Sequence, residues 1–380
     1  MYLLCTAKFL LTLLYFCRVM IQHTKANDMN FKKTSEMNGT KTWVHNSRSK
    51  YKWEIVWQQV LHMLIVHIGG LYGFYQFCFV CSWKTCLWVY LGIFISGQGI
   101  TAGAHRLWTH RSYKAKLPLR IILMICQSMA FQTHIYEWVR NHRVHHKFTD
   151  TDADPHNATR GKHPDVAIKG KTVDMSDVEA DPVVQFQKKY YGILVLTTSF
   201  LIPTFIPWYF WNESVWVSWF TAGMFRHCAS LQFTFLVNSI AHRWGTKPYD
   251  KTIGSAENKL ISFLTYGEGW HNYHHVFPWD YKTGELSSYR LNQTTLLIDL
   301  FAKIGWAYDL KTTSINMVEK RANRTGDGSR KCCVDQYFVL DTLNNESVEN
   351  IWGWGDGDMK LEDIQNVKVY NRQKKGNMEL

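Results

Sequence analysis

Two short stretches of the chain repeat one histidine spacing. "HRVHH" starts at residue 142 and "HNYHH" starts at residue 271. Residues i, i+3 and i+4 of a helix share one face, so each stretch brings three imidazoles together. These are His142, His145, His146, His271, His274 and His275. Crowded imidazoles repel one another when protonated, whereas neutral imidazole is the commonest metal ligand in proteins, and the spacing therefore predicts metal binding.

Three further histidines belong to the same predicted site. His105 and His110 stand in "HRLWTH", directly after an apolar block, and His242 follows Asn238 by four residues in "NSIAHRWG". A spacing of five puts two side chains about 140° apart on a regular helix, so His105 and His110 reach one site only if the helix ends or bends there. Six other histidines are predicted to be core, interfacial or surface residues: His62, His67, His134, His156, His163 and His227.

The number of imidazoles in this set indicates the kind of metal. Nine exceed what one ion can accommodate, which predicts two ions. A structural zinc site would be closed by four ligands and would typically include cysteine. Nitrogen-rich sites with room for an open position suit redox-active iron. Iron beside apolar segments indicates dioxygen chemistry on an apolar substrate.

The composition is that of a strongly segmented chain. It has 380 residues, is 46% hydrophobic and carries a formal net charge of +12. The apolar residues are concentrated in blocks between polar segments, which indicates a membrane protein with a large aqueous part. The basic charge is accompanied by no zinc-finger spacing and no aromatic RNA-binding motif, so it favours an anionic bilayer surface over nucleic acid. The nine cysteines form no disulfide framework.

Four apolar blocks are each close to the ~20 residues that a bilayer crossing requires. They run from Ile55 to Val80, Cys86 to Ala104, Tyr191 to Trp211 and Val215 to Ala241. The segment between the second and third blocks is rich in Arg and Lys, so the positive-inside rule places it in the cytoplasm and the two short connections opposite. Both histidine stretches then face the cytoplasm. Leu117 to Phe131 is predicted to be a helix that lies at the membrane interface or covers a groove. The tail from about Thr325 is polar, and its stretch "GWGDGDMKLED" is predicted to be weakly ordered.

Several motifs resemble those of one protein family. "GITAGAHRLWTHRSYKAKLP", "IYEWVRNHRVHHKF", "DADPHNATRG", "NSIAHRWG" and "GEGWHNYHHVFPWDY" closely resemble the membrane-bound acyl-CoA desaturases, including stearoyl-CoA desaturases and especially the insect enzymes. The likeness runs from about Tyr51 to Ser329. It implies a di-iron centre on His105, His110, His142, His145, His146, His242, His271, His274 and His275. Asn238 matches a residue that holds a metal-bound water.

The resemblance also implies a reaction and its partners. The family removes two hydrogens from a fatty acyl-CoA chain and reduces dioxygen with electrons from cytochrome b5 and its reductase. No "HPGG" haem-binding stretch is present, so the electron donor is expected to be a separate protein. The expected location is the endoplasmic reticulum membrane, with the termini and the active site in the cytosol. The products are expected to serve unsaturated fatty acid biosynthesis, pheromones included.

The predicted fold class is an all-α membrane protein with four transmembrane helices in two hairpins and a cytosolic helical cap that holds the di-iron site. Residues 1–54 form an N-terminal cytosolic segment, whose apolar residues 1–20 have no assigned role. Residues 55–104 and 191–241 form the hairpins, and residues 105–190 and 242–324 form the cap. Residues 325–380 form a polar tail.

Nine residues match substrate positions of the family. Arg140, Asn141, Lys162 and Gln59 match coenzyme A contacts, Trp138, Gln132 and Thr234 match tunnel or kink residues, and Ile93 and Gly97 match positions at the far end of the tunnel. Plain packing and solvated charge are the alternatives. Asn141 stands where Asp is usual, and Gln58 and Gln59 replace an Arg-Asn pair. The absent side chain of Gly97 predicts room for longer acyl chains.

One departure from the family pattern puts turnover in doubt. Gly161 runs directly into "KHPDV", where the family carries about a dozen further aromatic and basic residues. The leading hypothesis is an oxygen-dependent desaturase. The alternatives are a catalytically impaired paralogue that still binds metal, and a related fatty acyl hydroxylase or acetylenase. A metal transporter is disfavoured, since its histidines would lie inside the spans.

Overall fold

The computed structural model describes residues 57–156, 164–285, 288–330 and 350–372. Most of these residues are helical. The helices are α1 (Trp57–Phe79), α2 (Trp83–Thr109), α3 (Leu117–Ala130), α4 (Ile135–Lys147), α5 (Pro164–Lys169), α6 (Ser176–Ala180), α7 (Pro182–Trp211), α8 (residues 215–239), α9 (Lys259–Leu264), α10 (His271–Val276), α11 (Gln293–Lys303), α12 (Ile315–Thr325) and α13 (Leu361–Asn366). The predicted segment 1–54, Lys162 and the junction at Gly161 lie outside the described residues.

Three of the helices are long and apolar enough to cross a membrane: α1, α2 and α7. α1 covers residues 57–79 of the first predicted block, α2 contains the second block and continues to Thr109, and α7 contains the third block and begins at Pro182. Their outward faces carry exposed apolar side chains such as Leu61, Ile65 and Ile193. Large exposed apolar surfaces indicate a lipid or protein environment. The fourth block forms the continuous helix α8, and its crossing of the membrane stays a prediction.

The last eleven residues of α2, Gly99–Thr109, are wound as a π-helix. In this winding each N–H reaches the carbonyl five residues back, and the N–H of His110 accordingly donates to the carbonyl of His105 over 3.1 Å. Residues five apart therefore lie closer to one face than on a regular helix. His110 is the first residue after the end of α2 at Thr109, so the chain meets the condition set by the spacing of His105 and His110 through both a change of winding and a helix end.

Below the histidines, α3, α4 and α7 enclose the largest buried apolar cluster, which includes Leu119, Leu123, Ile135 and Val184. The helix predicted at Leu117 to Phe131 is confirmed as α3. It buries Leu119 and Leu123 and exposes an apolar stripe of Ile121, Ile122 and Ile125. This division suits a helix at a membrane surface, and the interfacial position itself stays a prediction.

Two small antiparallel sheets complete the fold. In the first, β1 (Lys114–Ala115) pairs with β2 (Ala307–Tyr308). In the second, β3 (Leu310–Thr313) pairs with β4 (Val367–Tyr370), with Leu310 opposite Tyr370. The second sheet ties the end of the described chain to the domain.

The predicted weak order of "GWGDGDMKLED", residues 353–363, is wrong. Trp352, Asp356 and Met359 are buried, and the stretch leads into α13 and the paired strand β4. Glycines and aspartates made "GWGDGDMKLED" look like a linker, but the tryptophan next to it supplies a large apolar area to bury. The tail residues 331–349 and 373–380 lie outside the described part of the chain.

Candidate metal centre

The nine predicted histidines lie together in two groups. We call them the five-histidine group and the four-histidine group. The first contains His105, His110, His142, His146 and His274, and the second contains His145, His242, His271 and His275. Within each group the candidate ligand nitrogens all lie within 4.8 Å of one another. The groups are adjacent, since the rings of His146 and His275 stack with their centroids 4.2 Å apart.

Each of the two repeated stretches supplies both groups. In α4, His142 and His146 point to the five-histidine group and His145 points to the other. In α10 the i and i+4 residues join the four-histidine group, and His274, at i+3, joins the five-histidine group. Positions i and i+4 are about 40° apart around a helix, while i+3 lies about 60° away on the other side. The triplet that the spacing placed on one face is therefore divided between two neighbouring centres.

The imidazoles face each other through their Nε2 atoms. His274 Nε2 lies 2.9 Å from that of His105 and 3.1 Å from that of His146. His271 Nε2 lies 2.8 Å from that of His242 and 3.1 Å from that of His275. Two nitrogens bound to one ion at about 2.1 Å and 90° apart would lie about 3.0 Å from each other. The spacing is therefore that of ligands around a shared cation.

Other Nε2 atoms in the groups have no alternative partner. Those of His110, His142 and His145 are buried and have no hydrogen-bond partner among the described residues. A buried polar atom without a partner is costly, and metal coordination would satisfy it. The donor set, nine imidazole nitrogens without a thiolate, suits iron among the redox metals. The residues present thus fit two metal ions.

Acceptors stand behind three of the rings and fix their orientation. Nδ1 of His145 donates to Asp154 over 2.7 Å, and Nδ1 of His110 donates to the carbonyl of Trp352 over 2.5 Å. Nδ1 of His105 lies 3.0 Å from the carboxylate of Glu268. Such contacts leave the proton on Nδ1 and the lone pair on Nε2, toward the centre.

Burial favours the neutral form of seven of these histidines. Burial, together with neighbouring imidazoles such as His145, lowers the pKa of His242 to about 3. The same two causes hold the pKa values of six other histidines well below the usual range: His110, His142, His146, His271, His274 and His275. Burial opposes ionisation of Glu268, but Arg106 and His105 outweigh it and hold the pKa of this carboxyl at about 2. Neutral imidazole is the protonation state that metal binding requires.

The other predicted site residues lie at different distances from the histidines. The Trp138 ring packs against His142 with centroids 4.7 Å apart. Gln132 and Thr234 both contact the carbonyl of Ser230, over 3.4 and 3.5 Å, so they lie together. Trp138 thus lies next to the five-histidine group, and Gln132 lies next to Thr234 of α8.

The charged and polar candidates lie toward the surface. Arg140 is partly exposed, 3.9 Å from Glu137 and 3.5 Å from the side-chain oxygen of Asn141. Gln59 is half-buried near the start of α1, and Asn238 is half-buried near the end of α8. The roles of these residues stay predictions.

Ile93 and Gly97 both pack against other side chains. Ile93 packs in a buried cluster with Val89 and Ala222. A Cβ added to Gly97 would lie 2.5 Å from the ring of Tyr266. Gly97 therefore borders an aromatic side chain, and its role and the preference for longer acyl chains stay predictions.

The sequence analysis missed the residues behind the ligands. Asp154 and Glu268 stand within the quoted motifs "DADPHNATRG" and "GEGWHNYHH", so their proximity to the histidines was the available signal. Trp352 acts through a backbone carbonyl, which leaves no mark in a sequence. Its role required the folded chain.

Comparison with known proteins agrees with this geometry. The family described as "Fatty acid desaturase" matches residues 82–311. An acyl-CoA Delta-9 desaturase of Acheta domesticus is 52% identical over 86% of this chain and 89% of its own. An acyl-CoA Delta-12 desaturase of Tribolium castaneum is 49% identical over 85% and 94%, and an acyl-CoA Delta(11) desaturase of Trichoplusia ni is 48% identical over 88% and 94%. The resemblance seen in the motifs is confirmed, and the chain belongs to the fatty acid desaturase family.

Proposed function

We propose that the chain is an acyl-CoA desaturase, an oxidoreductase that introduces a double bond into a fatty acyl-CoA at a di-iron centre. The observation that carries this proposal is the pair of buried histidine groups, whose Nε2 atoms converge in a chain of the desaturase family. Dioxygen takes up the two hydrogens of the acyl chain together with two electrons and two protons, and two water molecules result. Iron, when bound, supplies the oxidising power that an unactivated C–H bond requires.

The protein's own residues position the metal and the substrate. The nine histidines hold the ions, and Asn238 would hold a water ligand beside the four-histidine group. Trp138 forms an apolar wall against His142, where an acyl chain must come close to react. Gln132 and Thr234 line the same region, and Ile93 and Gly97 lie at its end. Buried walls of this kind exclude water and hold one carbon pair in place.

Coenzyme A binds at the outer surface in this proposal. The partly exposed guanidinium of Arg140, next to the amide of Asn141, offers a cation and hydrogen bonds to phosphate groups. Lys162 and Gln59 are further expected contacts. The cationic entrance would bind the coenzyme A part of the substrate, and the apolar passage would hold its acyl chain.

The proposed topology has four membrane crossings in two hairpins, with the cap in the cytosol of the endoplasmic reticulum membrane. One contact supports it. Glu213, in the second short connection, accepts hydrogen bonds from the N–H of Ser82 over 2.9 Å and from the hydroxyl of Thr85 over 2.6 Å. Both short connections therefore lie at one end of the helices, away from the histidines. Cytochrome b5 and its reductase are the proposed electron donors on the cytosolic side.

Expression in desaturase-deficient yeast tests the function. The expected result is new unsaturated acyl chains, absent from cells that carry His274→Ala. The relatives named above carry three different double-bond positions in their names, so product analysis must also locate the bond. Hydroxylated products would contradict the proposal and indicate a fatty acyl hydroxylase instead. An iron-loaded protein without any product would instead indicate an impaired paralogue, as the short stretch after Gly161 suggests.

A further inference from the structure

Residues 351–358, "IWGWGDGD", lie against a predicted metal ligand; we call them the tail segment. The carbonyl of Trp352 accepts a hydrogen bond from Nδ1 of His110 over 2.5 Å. The N–H of Trp354 donates to the backbone carbonyl of the same histidine over 3.0 Å. The tail segment therefore holds both the side chain and the main chain of His110.

Gly353, between the two tryptophans, permits this contact. Its φ of +149° lies in a region that side chains disfavour, and an added Cβ would lie 2.7 Å from both the Cα and the carbonyl oxygen of His110. Any other residue here would force the backbones apart. The close approach thus depends on a glycine at this position.

The hydrogen bond selects one tautomer of His110. A backbone carbonyl only accepts, so the proton must stand on Nδ1 and the lone pair on Nε2. Nε2 is buried, belongs to the five-histidine group and has no hydrogen-bond partner among the described residues. The acceptor behind the ring therefore aims the lone pair at the metal position.

Two arginines hold the Trp352 ring in place. The guanidinium of Arg143 lies 4.2 Å from the ring centroid and that of Arg111 lies 4.9 Å from it. Both arginines are ion-paired with Asp177. Cation–π contacts of this kind gain strength when they are desolvated, and the Trp352 and Arg143 side chains are both fully buried.

A second anchor joins the tail segment to α4. Asp356 accepts from the N–H of Trp352 over 2.9 Å and from the ammonium of Lys147 over 2.9 Å. Lys147 follows His146 directly, and Arg143 follows His142. The helix that supplies three histidines thus also anchors the segment that orients a fourth.

We propose that the tail segment is a positioning element of the metal centre, with Trp352 and Gly353 as positioning residues that act through His110. This inference rests on the proposed role of His110 as a metal ligand. Nothing else among the described residues hydrogen-bonds Nδ1 of His110, so loosening the segment lets the ring rotate or change tautomer. The five-histidine group then binds its ion more weakly, while the four-histidine group keeps its own.

Cobalt(II) binding to the purified full-length protein in detergent tests this inference. We expect Trp352→Ala and Gly353→Ala each to lower the affinity for one of the two Co(II) ions by about 10- to 100-fold. This is the usual cost of losing a partner that orients a metal ligand. Trp352→Phe keeps a ring between the arginines and should restore most of the affinity. Tyr370→Ala removes an exposed ring elsewhere in the tail and is the matched control. Thermal unfolding of the metal-free proteins reports on folding.

A double-mutant cycle separates positioning from general stability. In the His110→Ala background, Trp352→Ala should change Co(II) affinity no further, since its route to the metal is already lost. An equal loss in both backgrounds, or wild-type affinity in both tail variants, would overturn the inference. A wild-type protein without two Co(II) ions would instead refute the proposed metal site, and the role of the tail segment with it.

Discussion

The five-histidine group and the four-histidine group differ in exposure and in support. All five residues of the first are buried, and Glu268 and the Trp352 carbonyl stand behind two of them. In the second, His242 and His275 are partly exposed. Asp154 backs His145, and Thr149 lies 3.5 Å from Nδ1 of His275. The first group is therefore the more enclosed, and the second has fewer candidate ligands and more access for a small molecule.

From this difference we expect the two metal positions to have different roles. A closed set of ligands retains its ion, whereas an open position admits a further ligand. By this reasoning, the metal-bound water that Asn238 is predicted to hold belongs to the four-histidine group. Substitutions that act on one group at a time test whether the two groups differ in this way.

Removing one ligand from each group should have the largest effect. We expect His274→Ala and His275→Ala each to lower desaturation by more than about 100-fold, beyond the cost of losing an outer contact. Iron analysis should find about one ion fewer in each variant. His134→Gln, a change at the start of α4 outside both groups, is the control and should keep both ions. Full iron content in both alanine variants would contradict the assignment of these residues.

Removing the carboxylates behind the rings should have the next largest effect. Asp154→Asn and Glu268→Gln should each weaken metal binding or activity by about 10- to 100-fold. Glu268→Gln should also destabilise the fold by about 3–5 kcal/mol, because it leaves the buried Arg106 guanidinium without its carboxylate. Metal titration and chemical denaturation of the two variants measure these effects separately. If Asp154→Asn destabilised the protein as much as Glu268→Gln, the contrast between the groups would fail.

A chelator should then distinguish the two groups in the unaltered protein. We expect the ion of the four-histidine group to leave first, since two of its ligands are partly exposed. Iron release in a chelator time course should therefore show two phases of about equal amplitude. A single phase would mean that the difference in burial has no consequence for metal retention.

The histidine constellation could be predicted from sequence because spacing within a helix fixes which side chains share a face. The i, i+3, i+4 pattern identified six of the nine imidazoles, and the location of the others near the ends of apolar blocks identified the rest. The π-helix over Gly99–Thr109 departs from the regular winding that the spacing argument assumes, and it is seen only in the folded chain. The same is true of the Trp352 carbonyl, which acts across 242 positions of sequence. The Tyr266 ring against Gly97 likewise required the fold.

A further prediction concerns α10, the helix that supplies histidines to both groups. Glu257 accepts a hydrogen bond from the N–H of Tyr273 in α10 over 2.9 Å, and burial raises the pKa of this carboxyl to about 8. Because the folded pKa lies above the unfolded value of 4.5, the folded state favours the protonated form. Its contribution to stability is complete below the unfolded pKa and is lost as pH rises toward about 8.

Glu257→Gln tests this pH dependence. The amide keeps the acceptor oxygen but carries no titratable proton, so the slope should disappear. Relative to the wild type, the variant should gain stability between pH 5 and pH 8, at no more than about 1.4 kcal/mol per pH unit. Thermal unfolding at several pH values measures this gain. Parallel curves for the two proteins would show that Glu257 does not titrate in this window.

The most direct test of the proposed di-iron centre is the iron stoichiometry of the purified full-length protein after anaerobic loading with Fe(II). We expect two tightly bound ions per chain and a loss to about one when a histidine of either group is replaced. A folded protein that retains no stoichiometric iron, or that binds the same amount with His274 and His275 both replaced by alanine, would contradict it.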